Sequence, residues 1–262
     1  MRGWIRAVVV VLVSTVAGTV VGAGRGSGPG ETTTPARRCL RLVNRSEATV
    51  RAAAYWGLVG GESRVRAERT SSLLIVPADP GTVRVELQAE DWHLERKVEG
   101  KGTARYWLPE PERNRVVLKG RWDVTRRRWI DLELFPLEGN LLLSRQVLES
   151  LADSLAGAPR SEWTMTAAGG RELTIRIERP AARNAGRRKD GAASWPVSVL
   201  FDGKDIGAGT MTWKGKPDAA TGLVFRSSKT VHLELQPGTG TRQVVDTSGT
   251  TEVAPCVEDG GK

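Results

Sequence analysis

Two histidines are all the imidazoles that this chain of 262 residues offers to general-base chemistry. A nucleophilic serine or cysteine needs a base within reach, usually a histidine oriented by a carboxylate. His93 is followed by a leucine, His232 stands on the polar side of an alternating stretch, and neither lies beside a G-x-S-x-G elbow. Both read as exposed strand histidines. Carboxylates alone can run a glycosidase, and Glu90 and Asp91 beside Trp92, or Glu110 and Glu112, are the pairs to consider. Nothing in the sequence sets their separation, and paired acids in turns are usually just solvated. Asp202, Gly203, Lys204 and Asp205 look faintly like a calcium loop but lack the alternating acidic ligands and downstream glutamate that hard cations require. They read as a hairpin turn. P-loop, dinucleotide and H-E-x-x-H patterns do not occur. No cofactor and no metal is expected.

Tryptophan is the unusual resource. Nine Trp stand against two Tyr and three Phe, and all but Trp4 follow the N-terminal apolar run. An exposed indole can stack on the apolar C–H edges of a sugar ring or anchor a protein interface. Trp122 and Trp129 bracket Arg126, Arg127 and Arg128, and Trp107 precedes a further series of cations. This interleaving suits an acidic polysaccharide, or a nucleic acid met outside the cell. Trp107, Trp122, Arg126, Arg127, Arg128, Trp129 and Trp195 are the candidate ligand-binding residues. The competing reading is that tryptophan fills the core of small β domains. Trp122 and Trp195, set in polar stretches, are the ones expected at the surface.

The compartment follows from residues 7–23, an apolar run behind Arg2 and Arg6 that ends in Val21, Gly22 and Ala23. That is the pattern of a secretory signal peptide. The alternative is an uncleaved anchor, although the run barely matches the ~20 residues a bilayer core needs. A cytosolic role on genomic nucleic acid is accordingly not expected. Cys39 and Cys256, the only cysteines, stand at the two ends of the folded region. In an oxidising compartment they read as a disulfide, with free or intermolecular thiols as the alternative. The formal charge is +9, which favours anionic partners, but GC-rich codons enrich arginine without selection for any partner.

Stepping along the chain, residues 24–38 are a Gly-, Pro- and Thr-rich tether. Residues 39–44 and 49–56 read as a hairpin turning at Arg45, Ser46 and Glu47, and Asn44 with Ser46 matches a glycosylation acceptor. Residues 72–76 and 82–88 are strands on either side of a Pro77 to Gly81 turn, and 93–99, 103–108, 115–119 and 129–135 continue the rhythm. Residues 141–155 carry a helical leucine stripe, with Asn140 able to cap its start and Gly157 its end. Strand patterns then resume to residue 246, interrupted by a long polar loop holding Arg187, Arg188 and Lys189. Residues 82–88 echo residues 230–236, which either records a duplication or reflects two amphipathic strands drawing on the same few residues.

The expected fold is mainly β: two antiparallel β-sandwich-like modules, 39–136 and 161–256, joined by one α-helix at 140–156, with a tail at 257–262. One large β-sandwich with a single helix is the alternative. The expected function is that of an exported, non-catalytic binding or envelope-associated protein, secreted or periplasmic. It would contact a polysaccharide or other anionic envelope component through Trp and Arg. A structural or protein-interaction role, with a protein partner, is the second reading, and a carboxylate-dependent exported hydrolase the third. Membrane contact is expected only if the N-terminal segment stays in place.

Overall fold

A computed structural model describes residues 36–52, 61–140, 142–157, 162–166, 172–178, 193–236 and 242–256. The expected signal segment, most of the tether, the Arg187 to Lys189 cluster and the C-terminal tail lie outside these residues.

Among the described residues twelve strands follow one another: β1 (Arg38–Ala52), β2 (Gly61–Pro77), β3 (Thr82–Val98), β4 (Gly102–Trp107), β5 (Arg115–Asp123), β6 (Arg128–Leu134), β7 (Glu162–Thr166), β8 (Glu172–Ile177), β9 (Ala193–Phe201), β10 (Lys204–Pro217), β11 (Val224–Leu235) and β12 (Gln243–Pro255). They form a single antiparallel sheet in the order β6-β5-β3-β2-β1-β12-β11-β10-β9-β8-β7, with β4 attached to the far half of β3. The two-module expectation is therefore corrected: β1 and β12 zip together from Leu40 opposite Pro255 to Ala52 opposite Gln243 and fuse the two halves into one open sheet. Nor is it a sandwich, because all described strands belong to that sheet.

Several expected turns are strand interior. β1 runs without a break through Arg45, Ser46 and Glu47, because every second residue from Leu40 to Val50 is buried while Arg41, Arg45 and Glu47 between them reach outward. Asn44 is consequently buried and donates from Nδ2 to Thr251 Oγ1 at 2.9 Å, which removes it as a glycosylation acceptor. β3 joins two segments that look separate in sequence. Its buried positions are odd-numbered through Ala89 and even-numbered from Trp92, since a β-bulge at Glu90 shifts the alternation by one. Residues 82–88 and 230–236 share their buried-exposed alternation, yet lie in β3 and β11, which hold different stations in the sheet.

The helix α1 (Arg145–Ala156) begins four residues later than the leucine pattern suggests. Asn140 caps the preceding turn instead, its Oδ1 accepting from the amides of Leu142 and Leu143. Gly157 ends the helix in the left-handed conformation, φ 70°, as expected. Val147, Leu148, Ala152 and Leu155 face the sheet, and the helix packs on β5, β6 and β11. Strands that are far apart in the sheet order thus meet over one core. Trp122 Nε1 on β5 donates to the Thr221 carbonyl before β11 at 2.8 Å, and Arg38 at the head of β1 binds Asp218 through both carboxylate oxygens at 3.0 Å. Cys39 and Cys256 form a disulfide that clasps the two ends of the fold.

Candidate functional site

Residues on the outer face of the sheet stack in two rows set by strand register. One row runs Thr250, Arg45, Glu68, His93, Trp107 across β12, β1, β2, β3 and β4. The next runs Ser248, Glu47, Arg66, Glu95, Arg105. Opposite charges directly across antiparallel strands attract, and like charges repel, so the rows alternate in sign. Arg45 Nε lies 3.2 Å from Glu68 and its Nη1 3.1 Å from Glu252; Arg66 Nε lies 3.2 Å from Glu47, and Arg105 Nε 2.8 Å from Glu95. The hydrogen bond from Arg105 holds the Glu95 carboxyl below its usual range, and the one to Glu252 pushes the Arg45 guanidinium upward.

Between these rows lies an open groove of about 630 Å³. Trp107 forms one wall, 54% exposed, and its ring stacks on His93 at 4.7 Å between centroids with a 34° tilt. Three arginines and three glutamates line the groove, so their formal charges cancel. The arginine excess of this chain is, on this face, spent in cross-strand pairs and not gathered into a cationic patch.

The other sequence candidates separate from Trp107. Trp122 is fully buried, packed edge-on against Trp129 at 5.2 Å and 74°. Trp129 is half-buried and donates from Nε1 to the Ala152 carbonyl at 3.3 Å. Trp195 is buried on the inner face of β9 opposite Met211. The expected exposure of Trp122 and Trp195 is therefore overturned. Their polar sequence neighbours belong to the outer face of strands whose inner face carries the indole, an alternation that short strand ends disguise. Arg126, Arg127 and Arg128 do stand together at the tip of the β5–β6 hairpin. The Arg126 amide donates to Asp123 Oδ1 at 2.8 Å, and Arg127 turns the chain at φ 51°.

The acids considered for catalysis also disperse. Glu90 occupies the β3 bulge, accepts from Ser72 Oγ and pairs with Arg41 Nε at 3.3 Å. Glu112 pairs with Arg115 at 2.6 Å. His232 binds Asp246 through Nδ1 at 2.7 Å on the exposed face of β11, across from Thr210. Among the described residues no cluster of His, Cys, Asp or Glu could hold a metal ion, and no helix is long and apolar enough to cross a membrane.

Sequence reasoning missed Arg69 entirely. It lies on the inner face of β2, 2% exposed, its guanidinium carbon 5.8 Å from the Trp92 ring centroid, and burial lowers its pKa to about 10. The only signal in the sequence was its register: from Val65 to Ile75 every odd position of β2 faces inward, and residue 69 is one of them.

Neither a family description nor a curated relative matches this chain. Among solved structures, an outer membrane channel from Pseudomonas putida overlaps 87% of this chain and all of its own at 9% identity and a TM-score of 0.31. DynF from the dynemicin biosynthesis pathway of Micromonospora chersina overlaps 92% of this chain and 91% of its own at 12% identity and a TM-score of 0.25. A DUF1329 family protein from Desulfovibrio piger overlaps 84% of this chain and 87% of its own at 11% identity and a TM-score of 0.15. Superpositions this loose carry no argument about ligand, activity or compartment.

Proposed function

We propose that this protein is an exported, non-catalytic binding protein that holds a polysaccharide in the outer-face groove beside Trp107. The observation that carries the reading is the indole itself: a large flat apolar side chain, 54% exposed at the wall of an open groove floored by planar polar pairs. Such a surface offers a stacking platform and flanking hydrogen-bond donors and acceptors, which is what a sugar ring presents in complement. Because the groove's charges cancel, the ligand it suits is a neutral polysaccharide more than an acidic one. Export is supported by the Cys39–Cys256 disulfide, since such bonds persist in oxidising compartments.

The test is a titration of wild type and Trp107→Ala with neutral and acidic polysaccharides, followed by intrinsic fluorescence at low and high salt. Wild type is expected to respond saturably to a neutral polymer with little salt dependence, and Trp107→Ala to bind about tenfold more weakly, the loss of one stacked ring. Equal binding by both proteins overturns the groove as the site. A response only to acidic polymers, lost at high salt, moves the site to the Arg126–Arg128 tip.

A second reading, interaction with another protein, is favoured by β4. All six of its residues are exposed, among the described strands it pairs only with β3, and it presents Tyr106 and Trp107 to solvent. An unpaired strand edge of this kind accepts a further strand. Thr103→Pro would cap that edge without changing a residue that lines the groove, so loss of a protein partner without loss of sugar binding identifies this role.

A further inference from the structure

Among the described residues, the buried Arg69 is a cation without an anionic partner. Arg69 Nη1 reaches Asn44 Oδ1 at 3.5 Å, but its Nε and Nη2 are buried and have no hydrogen-bond partner. Burial lowers its pKa to about 10, and no carboxylate lines the space around it. Lowered as it is, its pKa still leaves the guanidinium charged at neutral pH. Beside it is a small cavity of about 30 Å³, lined on one side by Leu151 and Leu155 of α1.

The hydrogen-bonding balance around that cavity is lopsided. Thr251 Oγ1 accepts from Asn44 Nδ2 at 2.9 Å and from Ser227 Oγ at 3.5 Å, so its own proton is left to point at something else. Ser154 Oγ, on α1, is buried without a partner and also lines the space. Asn44 Oδ1 is already used by Arg69. Around one buried positive charge, Arg69 Nε and Nη2 and the hydroxyls of Thr251 and Ser154 can all donate into the space, and no carboxylate lines it. Water would accept some of these bonds but would leave the charge uncompensated. The group missing from this arrangement is one that only accepts.

We propose that the space between Arg69 and α1 is a binding site for a single compact monovalent anion, of the size of a halide or formate. The β3 bulge contributes to it: by re-aiming Trp92 beneath the guanidinium, with Nε1 bonded to the Thr70 carbonyl at 3.1 Å and Ser71 Oγ at 3.0 Å, it fixes the floor on which Arg69 lies. The small volume favours compact anions over sulfate, phosphate and larger carboxylates while α1 is in place. Because α1 lines one side, occupancy is coupled to helix docking, and the anion stabilises the closed fold by mass action.

The test uses the purified full chain at constant ionic strength, with gluconate as the bulky reference anion. Thermal melts are recorded while gluconate is replaced by chloride, bromide or formate, and separately by sulfate. The expected result is a saturable rise in Tm with the compact monovalent anions, absent with sulfate. Arg69→Met should show no such rise. If that variant fails to fold, Thr251→Val, which removes one donor and keeps the charge, should shift the half-saturating bromide concentration upward several-fold. Crystals soaked in bromide should show an anomalous peak within hydrogen-bond distance of Arg69 Nε, and formate should displace it. A response to halides but not formate assigns a free inorganic ion; a response to both assigns a site that also takes a carboxylate. Equal melting in all anions, an undiminished response in Arg69→Met or Thr251→Val, or bromide bound only elsewhere overturns the proposal.

Discussion

Lys229 faces inward from β11, 5% exposed, opposite the buried Trp213 and Gly249. Burial drives its pKa down to about 7 from an ordinary 10.5, because an ammonium in apolar surroundings is disfavoured relative to the amine. Between those two values the unfolded chain binds a proton that the folded chain does not, so folding stability rises with pH across that window and is lowest, on this account, at and below pH 7. Lys229→Met removes this contribution. Urea unfolding of both proteins from pH 6 to 10 should show the wild type gaining on the variant as pH rises, by a few kcal/mol in all; parallel pH curves would show that Lys229 does not titrate in this range. Asp218 behaves in the opposite direction. Burial alone would raise its pKa, but hydrogen bonds from Arg38 and Thr221 outweigh it and hold the carboxyl below the usual range. Its stabilisation is therefore complete above the ordinary carboxylate pKa of about 4 and is lost as pH falls through the lower folded value. Asp218→Asn should be less stable than wild type at pH 7 and converge with it toward pH 2 in acid titrations followed by circular dichroism.

At the scale of elements, α1 and the β3 bulge do most to shape the interior. Leu148 is wholly buried beneath α1, so Leu148→Ala should lower the unfolding free energy by about 2–5 kcal/mol in urea melts. Gly157 ends the helix at φ 70°, and a Cβ there would sit 3.2 Å from Val224 Cγ2. Gly157→Ala should therefore destabilise by roughly 1–2 kcal/mol, the strain of a left-handed L-residue, and if the cost is absent the helix must end differently. The helix's existence and its glycine stop were readable from the leucine stripe and from Gly157. Its start was not, because Leu142 and Leu143 are buried by the preceding turn and extend the apolar pattern without being helical. The bulge was equally hidden. A one-residue slip in a period of two looks, in sequence, like a strand that stops at Gln88 and another that starts at His93.

For the whole molecule, the closing features are few and separable. The disulfide spans 217 residues, so the chain-entropy model assigns it about 5 kcal/mol. Cys39→Ser should lower the urea midpoint by up to that equivalent without altering the far-ultraviolet dichroism of the sheet at low denaturant. Reducing agent should bring wild type to the same midpoint. A much smaller shift would mean that the β1–β12 ladder alone already confines the ends in the unfolded ensemble.

Residue types and their alternation were enough to establish a β-rich chain, one helix with a defined stop and a pair of cysteines at the two ends of the folded region. Those features are local: a period of two, a leucine stripe and a glycine need no knowledge of distant neighbours. What the tertiary structure decided is everything that depends on which strand lies beside which. Only the β1–β12 pairing shows that two apparent modules are one sheet. Only the curl that brings Trp122 to Thr221 explains why an indole between arginine and aspartate is buried. Only cross-strand register places Trp107 on His93 and leaves Arg69 among hydroxyls under a helix. Pairing partners in an antiparallel sheet of this kind are separated by up to 215 residues, as Leu40 is from Pro255, and no periodicity within a strand specifies them.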